Sequence, residues 1–384
     1  MMSIGTHRLF AAGHHLSRVG WAVACCAFIL LAASVPARGQ GHEVAPPADA
    51  ENQYPSLRIS GFADVNFSAQ KRTEGTRGFS EGQFVLHLAS ALSPRTNVFG
   101  ELSFTPRTDA GTGTPAATGF NTEVERLIIR FDQSDRLKVS FGRYHTPINW
   151  WNTAYHHGQW LQTTISRPEM VQFGGRFIPV HFVGALAEGT LPAKGWHVGY
   201  QGGVGNGRGA VISRGGDAGD VNNRPAWLLN AFARPDPLFA LQVGGSLYVD
   251  RITTTARPEF NERILAGHIV WQREDPELIA EVAQVRHTQI GGPLEASNVA
   301  YYIQGAYRLP SAARLWKPYY RFEHIDIDRA DVIFAGIPQL DGSTFGVRYD
   351  ISSYAAIKTE GRIRRRDSGQ PRANGWFAQV AFTF

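Results

Sequence analysis

The segment 143–167 carries the most concentrated set of side chains that could do chemistry. It reads RYHTPINWWNTAYHHGQWLQTTISR and contains His145, His156 and His157. Imidazole nitrogens suit zinc, copper or nickel ions, so metal binding is one interpretation. The histidines match no recognised ligand spacing, and the segment itself contains no carboxylate. We therefore predict no metal site and no cofactor.

The same region offers little support for catalysis. Ser166, His157 and Asp132 could be nominated as nucleophile, base and acid, but no nucleophile–base spacing supports them. The chain also lacks a nucleotide-binding loop, a nucleophile elbow and a zinc signature. We predict that the protein has no catalytic residues and is not an enzyme.

A second set of charged residues lies near the C-terminus, where apolar and polar residues alternate. If Phe322, Phe345 and Ile363 face one side of a sheet, the alternation turns the charges to the other side. These charges are Arg321, Glu323, Arg348, Asp350, Lys358, Glu360, Arg362 and Arg364. The same alternation adds Arg58, Arg126, Arg130 and Lys138 from the N-terminal half.

Such rows of charge would act on any solute that passes them. Cations along a water-filled passage lower the cost of moving an anion through it. The carboxylates among the cations leave two other interpretations open. The charges could set up a transverse field with weak selectivity, or form pairs that only keep the interior wet and rigid.

Strands of alternating polarity are the elements that position these residues. In Leu57–Ala69, Ile59 and Val65 fall on one face, whereas Arg58 and Asp64 fall on the other. Similar alternation recurs at 82–92, 97–105, 122–132, 137–144, 180–190, 196–203, 226–234, 238–250, 263–273, 278–288, 298–309, 315–327, 342–351, 356–366 and 375–384. Short turns alternate with long, glycine-rich connections. The pattern predicts an all-β fold, a transmembrane antiparallel up-and-down β-barrel of about sixteen strands. Fourteen or eighteen strands are the alternatives, and 171–204 is the least defined region.

The C-terminal strand supports this fold class. The chain ends on Phe384, and counting back in twos gives Phe382, Val380, Ala378 and Trp376. A strand with one unbroken apolar face can close a barrel against the first strand. Its terminal aromatic residue resembles the signal that the barrel-assembly machinery of Gram-negative bacteria reads.

The N-terminus resembles a secretory signal peptide. Arg8 and Arg18 precede an apolar run at 19–35, and Val35-Pro36-Ala37 offers a cleavage site after residue 37. The run is short for a spanning helix, which needs about 20 apolar residues. We therefore divide the chain into a signal peptide at 1–37, a polar lead-in at 38–56 and a barrel at 57–384.

The amino-acid composition further limits the class of protein to which the chain can belong. Both cysteines, Cys25 and Cys26, lie within the predicted signal peptide, so the mature chain would have no disulfide framework. A lipoprotein acylated at Cys25 is the weaker alternative. The 38 basic and 33 acidic residues give a net charge of +5, too little to indicate nucleic-acid binding.

Taken together, the signal peptide, the alternating strands, the Phe384 terminus and the segment 141–150 (FGRYHTPINW) resemble a Gram-negative outer-membrane porin. The resemblance is to porins of the phosphate-selective and related sixteen-strand type. In these, a glycine-arginine strand end leads into a loop with proline, tryptophan and asparagine. The lysine-rich loops of phosphate-selective porins are not evident here, so the resemblance implies no phosphate specificity.

The resemblance implies that one long loop near 145–170 folds inward and narrows a channel. Arg143 and Arg167 would border this constriction. The predicted constriction residues are His145, Asn149, Trp150, Trp151, Asn152, Tyr155, His156 and His157. A plain loop with tryptophans at the membrane interface is the alternative. The resemblance also implies a homotrimer and contact with outer-membrane lipid and lipopolysaccharide.

We predict an outer-membrane porin for passive diffusion of small hydrophilic solutes, with a preference for anions. The main alternative is a non-conducting barrel with an adhesive or structural role. A barrel hydrolase is the weaker alternative.

Overall fold

The computed structural model describes residues 54–71, 75, 77–106, 119–173, 176–209, 212, 216–238, 240–254, 257–367 and 372–384. The predicted signal peptide at 1–37 lies outside these residues, and so does the predicted lead-in at 38–56 except for its last three residues. The division of the chain at residue 37 therefore stays a prediction.

Sixteen strands form one closed antiparallel barrel, in which each strand pairs with its sequence neighbours and β1 pairs with β16. The strands are β1 Ser56–Gln70, β2 Gly78–Ser93, β3 Thr96–Pro106, β4 Phe120–Ser134, β5 Leu137–His145, β6 His181–Ala193, β7 Trp196–Asn206, β8 Ala226–Pro235, β9 Leu241–Thr254, β10 Arg257–Gln272, β11 Glu277–Gln289, β12 Glu295–Ala306, β13 Trp316–Asp326, β14 Leu340–Asp350, β15 Ala355–Arg366 and β16 Gly375–Thr383. The predicted fold class and the count of sixteen are confirmed. The region 171–204 contains β6 and most of β7, as the strand count requires.

The two faces of the barrel differ as the period-two pattern predicts. Leu57, Ile59 and Ile363 are exposed on the outer face, whereas Arg321 and Lys358 are buried on the inner face. Successive side chains of a strand point to opposite faces, so one strand can present apolar groups outward and charges inward.

The seam between β1 and β16 is closed by the last residue of the chain. Phe384 exchanges two backbone hydrogen bonds with Gly61, at N···O distances of 2.9 and 3.1 Å. Its ring stacks on Phe84 of β2 at 5.7 Å. A Cβ at Gly61 would lie 2.4 Å from the Phe384 ring and 2.6 Å from the Val85 carbonyl oxygen. Glycine at position 61 therefore permits the close approach that seals the barrel.

Helical structure is limited among the described residues. The one α-helix, α1, spans Trp151–Tyr155, and 3₁₀ turns lie at Glu169–Val171, Asp236–Leu238 and Ser311–Ala313. Within the described part of the chain, no helix has the length and apolar character needed to cross a membrane.

Residues 146–173 and 176–180 of the connection between β5 and β6 lie inside the barrel, and we call this part of the chain the inward loop. Its residues Ile148, Trp151 and Val171 are fully buried. They belong to one apolar cluster with inner-face residues such as Tyr248 and Tyr302. The cluster also includes Phe177 and Ile178 of the loop, and Ile325, Ile333 and Phe334 from β13 and the connection that follows it. The inward loop is thus packed against inner-face side chains of the barrel wall.

Candidate functional site

The first turn of the inward loop is held by two wall strands. Asn149 adopts a left-handed conformation with φ of 62°, which asparagine tolerates better than most residues. Its backbone N–H donates to Ser246 Oγ on β9 at 2.9 Å, and its side chain donates to the Val282 carbonyl on β11 at 3.1 Å. The turn is therefore fixed by groups that lie far away in sequence.

Helix α1 receives its cap from the barrel wall. The backbone N–H groups of Trp150 and Trp151 both donate to Glu281 Oε1 on β11, each at 2.7 Å. A carboxylate satisfies the unpaired N–H groups at a helix start and interacts favourably with its dipole. Glu281 thus takes the role that a local capping side chain would otherwise play.

The second half of the loop is bound by β13 and β15. Arg321 donates to the Ser166 carbonyl at 2.8 Å and to Ser166 Oγ at 2.7 Å. Glu360 accepts hydrogen bonds from the backbone N–H groups of Ile165 and Ser166 at 2.8 and 3.1 Å. Charged wall residues thereby satisfy a loop backbone that has no regular structure of its own.

Four more predicted pore residues make similar contacts. Arg348 donates to the carbonyls of Trp160 and Gln162 at 2.6 and 3.1 Å. Lys358 donates to the carbonyls of Gln159 and Thr164. Glu323 accepts the backbone N–H of Glu169 at 2.7 Å, and Arg364 forms an ion pair with the Glu169 side chain at 3.2 Å. These residues face the interior, as the alternation predicts, but they bind the inward loop.

Arg362 also faces inward, but its contacts are with the wall itself. It pairs with Glu360 at 2.6 Å, and its guanidinium lies 3.7 Å from the centre of the Phe377 ring on β16. In the loop, Arg167 lies 3.7 Å from the centre of the Phe173 ring, and burial lowers the pKa of Arg167 to about 9.

The predicted cations of β1, β4 and β5 have a different environment. Arg126 pairs with buried Glu101 at 2.5 Å, and Arg130 pairs with Asp132 at 2.8 Å. The side chains of Arg126, Arg130 and Asp132 are 24–25% exposed, whereas Arg321 and Lys358 are fully buried. Arg58 is exposed and Lys138 is half-buried. Arg143 pairs with Asp217 at 2.9 Å, near the loop end of the barrel.

The three histidines of the segment 143–167 lie close together at the barrel wall. The rings of His145 and His156 stack at 3.8 Å, and the rings of His156 and His157 lie 4.6 Å apart. His181 at the start of β6 and Glu125 of β4 complete the group, with 2.8 Å between His181 Nε2 and Glu125 Oε2. Burial holds the pKa of His156 well below its usual range.

Sequence reasoning missed Glu125 and His181. The absence of a carboxylate within the segment argued against a metal site, yet β4 supplies one in space. His181 could have been found, because it lies directly opposite His145 in the β5–β6 register. Glu125 could not, because it faces inward through a bulge that the alternation does not reveal.

No family model matches this sequence, and no curated protein matches it. Solved structures do match its fold. The anion-selective porin from Comamonas acidovorans is 13% identical, with a TM-score of 0.56 and coverage of 86% of this chain and 100% of that chain. The trimer form of OmpT from Vibrio cholerae is 12% identical, with a TM-score of 0.58 and the same coverage. The outer membrane channel DcaP of Acinetobacter baumannii is 11% identical, with a TM-score of 0.56 and coverage of 86% and 98%.

The chain has the porin fold. The resemblance to sixteen-strand Gram-negative outer-membrane porins is therefore confirmed for the barrel as a whole. At 11–13% identity, the likeness concerns the fold and not the residues that line it.

Proposed function

We propose that the protein is an outer-membrane porin through which small hydrophilic solutes diffuse passively. The inward loop would narrow the channel, and the cations on the inner faces of β1, β4 and β5 would bias it towards anions.

The unequal exposure of the inner wall carries this proposal. Inner-face charges on β13 and β15 are buried under the loop, whereas Arg130, Asp132 and Glu188 on β4 and β6 keep 25–27% of their side-chain surface exposed. We infer that water reaches these side chains through a space between the loop and this arc. A passage there suits small hydrated solutes, because its wall is polar and charged.

Exposure to water decides which cations would act on a permeating ion. Arg321, Lys358 and Arg364 are engaged by loop carbonyls and carboxylates, so they contribute little field to the passage. Arg130 and Lys138 lie on the less buried arc. We therefore place the anion preference on this arc and not on the C-terminal strands, where the sequence pattern had put most of it.

The test is the reversal potential of the refolded protein in a planar bilayer with a salt gradient. We expect stable conductance steps and an anion-leaning reversal potential. In Arg130→Gln with Lys138→Gln, the reversal potential should move towards zero. Arg286→Gln is the matched control, since Arg286 is 46% exposed on the outer face and pairs with Glu295.

Two results would count against the proposal. A folded wild-type barrel without conductance would favour the non-conducting alternative, in which the inward loop plugs the lumen. A reversal potential that changes equally in Arg286→Gln would remove the assignment to β4 and β5.

Location and assembly follow from the same proposal. We infer an outer-membrane location, reached through the predicted signal peptide at 1–37 and the assembly machinery that reads the Phe384 strand. A homotrimer is proposed because the V. cholerae OmpT structure is a trimer form. Membrane fractionation and cross-linking of native membranes test the two points separately.

A further inference from the structure

We propose that Glu125, His145, His156 and His157 bind one divalent transition-metal ion, which fastens the inward loop to β4 and β5. Zinc is the ion we commit to as the probe. The proposal does not depend on solute conduction, because a plugged barrel would bind the ion equally well.

The four side chains converge on one point. Each of them offers one ligand atom, these atoms all lie within 4.8 Å of one another, and all four residues are buried. Zinc binds histidine nitrogen and carboxylate oxygen at about 2.0–2.2 Å in a tetrahedron, so its ligand atoms lie about 3.5 Å apart. The widest separation would need to close by about 1.3 Å at most, through rotation of the side chains around the ion.

One proposed ligand atom lacks any partner. Nε2 of His156 is buried and makes no hydrogen bond. Nε2 of His157 and Nε2 of His181 lie 3.2 and 2.8 Å from the buried Oε2 of Glu125, so two imidazoles face one carboxylate oxygen. Buried polar atoms nearly always have hydrogen-bond partners in native proteins, so the unpaired nitrogen of His156 indicates a ligand that binds it.

The hydrogen bonds around His156 fix the tautomer that a metal needs. Asn152 donates its Nδ2 to the carbonyls of Thr146 and Val180 at 3.0 and 2.9 Å, so its Oδ1 must accept. His156 Nδ1 lies 2.7 Å from that oxygen and therefore carries the proton. Arg167 lies 3.4 Å from the same nitrogen, too far to compete. The lone pair of His156 is left on Nε2, the atom without a partner.

His157 is oriented in the same way. Its Nδ1 lies 3.2 Å from Gln83 Oε1 on β2, which leaves Nε2 towards Glu125. Histidines that bind metals almost always donate their second ring nitrogen to such a partner, which fixes both the ring and the tautomer. Glu125 is held similarly, because its Oε1 accepts the Ser103 hydroxyl at 2.7 Å.

A bulge in β4 brings the carboxylate into the site. The β3–β4 register pairs Glu101 with Arg126 and Leu102 with Val124, so Glu125 is the extra residue. As a result, both Glu125 and Arg126 contact inner-face partners, Ser103 and Glu101. Bulges are common next to functional sites, where they redirect a side chain.

The position of the site suggests what the ion would do. His145 ends β5 and His181 begins β6 directly opposite, with His181 Nε2 2.8 Å from Glu125 Oε2. His156 and His157 follow α1 inside the barrel. An ion bound here would link the part of the inward loop that follows α1 to β5, the strand that precedes the loop.

The test is zinc binding by refolded protein that has first been stripped with a chelator. Titration against a chromophoric chelator should give one zinc per chain. The double variant His156→Gln, His157→Gln should lose at least 100-fold in affinity. His324→Gln is the control, since His324 also pairs with a carboxylate, Asp341, at 2.8 Å but lies outside the site.

X-ray absorption of the zinc-loaded wild type keeps the proposal testable if a variant misfolds. We expect three imidazole ligands and one carboxylate oxygen. A site with fewer than two imidazoles would overturn the assignment, as would unchanged affinity in a folded double variant. A folded wild type that binds no zinc would show that the cluster is only a packed histidine network.

Discussion

The Glu360 carboxylate on β15 accepts a hydrogen bond from the backbone N–H of Ser166, 194 residues away in sequence, at 3.1 Å. The contact lies inside the barrel, and Glu360 is fully buried. The inward loop is thus held by charged side chains that a period-two strand presents to the interior. Its position in the lumen depends on these bonds as much as on the apolar cluster.

The first prediction concerns Glu360→Gln. The change leaves Arg362 without its carboxylate in a buried setting and removes a negative charge near Arg321, so we expect a loss of about 3–5 kcal/mol in the free energy of unfolding. Urea unfolding in detergent micelles measures it. Glu295→Gln should cost about 0–1 kcal/mol, because its ion pair with Arg286 is exposed. A loss below 1 kcal/mol in Glu360→Gln would contradict the anchoring role.

The second prediction concerns the local stability of the loop. Arg321→Met removes the hydrogen bonds to Ser166 and keeps much of the side-chain volume. Opening of the loop should become more frequent by at least about tenfold, since each 1.4 kcal/mol changes a population tenfold. Chymotrypsin cleavage near Trp160 reports it. Arg286→Met is the control, and equal cleavage rates in both variants would contradict the prediction.

The third prediction is a pH dependence at the connection between β13 and β14. Burial alone would raise the pKa of the Asp331 carboxyl. The hydrogen bond and charge of His287, 2.6 Å away, outweigh the effect of burial and hold this pKa below its ordinary value of 3.8. A lowered carboxyl pKa contributes stability above pH 3.8 that is lost as pH falls through the folded-state pKa.

Asp331→Asn should therefore be less stable than the wild type at neutral pH, and the difference should shrink below about pH 4. Urea midpoints measured at pH 7 and pH 3 test this. Asp326→Asn is a control at an exposed position on β13. A difference that grows on acidification would contradict the sign.

The strands were predictable because each has to satisfy lipid and water at once. As a result, apolar and polar residues alternate along each strand. This period of two predicts sixteen strands, and the face to which each side chain points, without knowledge of contacts between residues far apart in sequence. Arg321 and Lys358 are buried on the inner face, as this period requires. Their partners could not be predicted, because Ser166 and Thr164 lie in a segment with no periodicity.

The histidine group was only partly predictable for a related reason. His145, His156 and His157 are near neighbours in sequence, so their types were informative. Glu125 reaches them because of a bulge in β4. A bulge shifts the inward–outward alternation of the side chains by one residue, and nothing in the sequence indicates where it occurs. The local sequence pattern therefore identifies the candidate histidines, and only the strand register of the folded barrel identifies the complete group.

The fourth prediction concerns the outer face. Leu265 lies midway along β10 and is 45% exposed. Leu265→Arg should cost about 2–4 kcal/mol, because an arginine at the bilayer midplane must be desolvated. Unfolding in lipid vesicles measures it, with Leu265→Met as the control, which should change stability by less than about 1 kcal/mol. Equal stabilities would show that this face does not meet the hydrocarbon core.

The fifth prediction concerns barrel closure. Deletion of Phe384 removes both backbone hydrogen bonds to Gly61 and the stack on Phe84, so the seam between β1 and β16 loses its last pair. Two hydrogen bonds and one aromatic pair contribute about 2–4 kcal/mol together. We expect a lower refolding yield, measured as the fraction of heat-modifiable protein on a gel. Phe384→Tyr keeps the backbone pair and the ring and should refold normally. A normal yield for the deletion would show that the seam closes without its terminal residue.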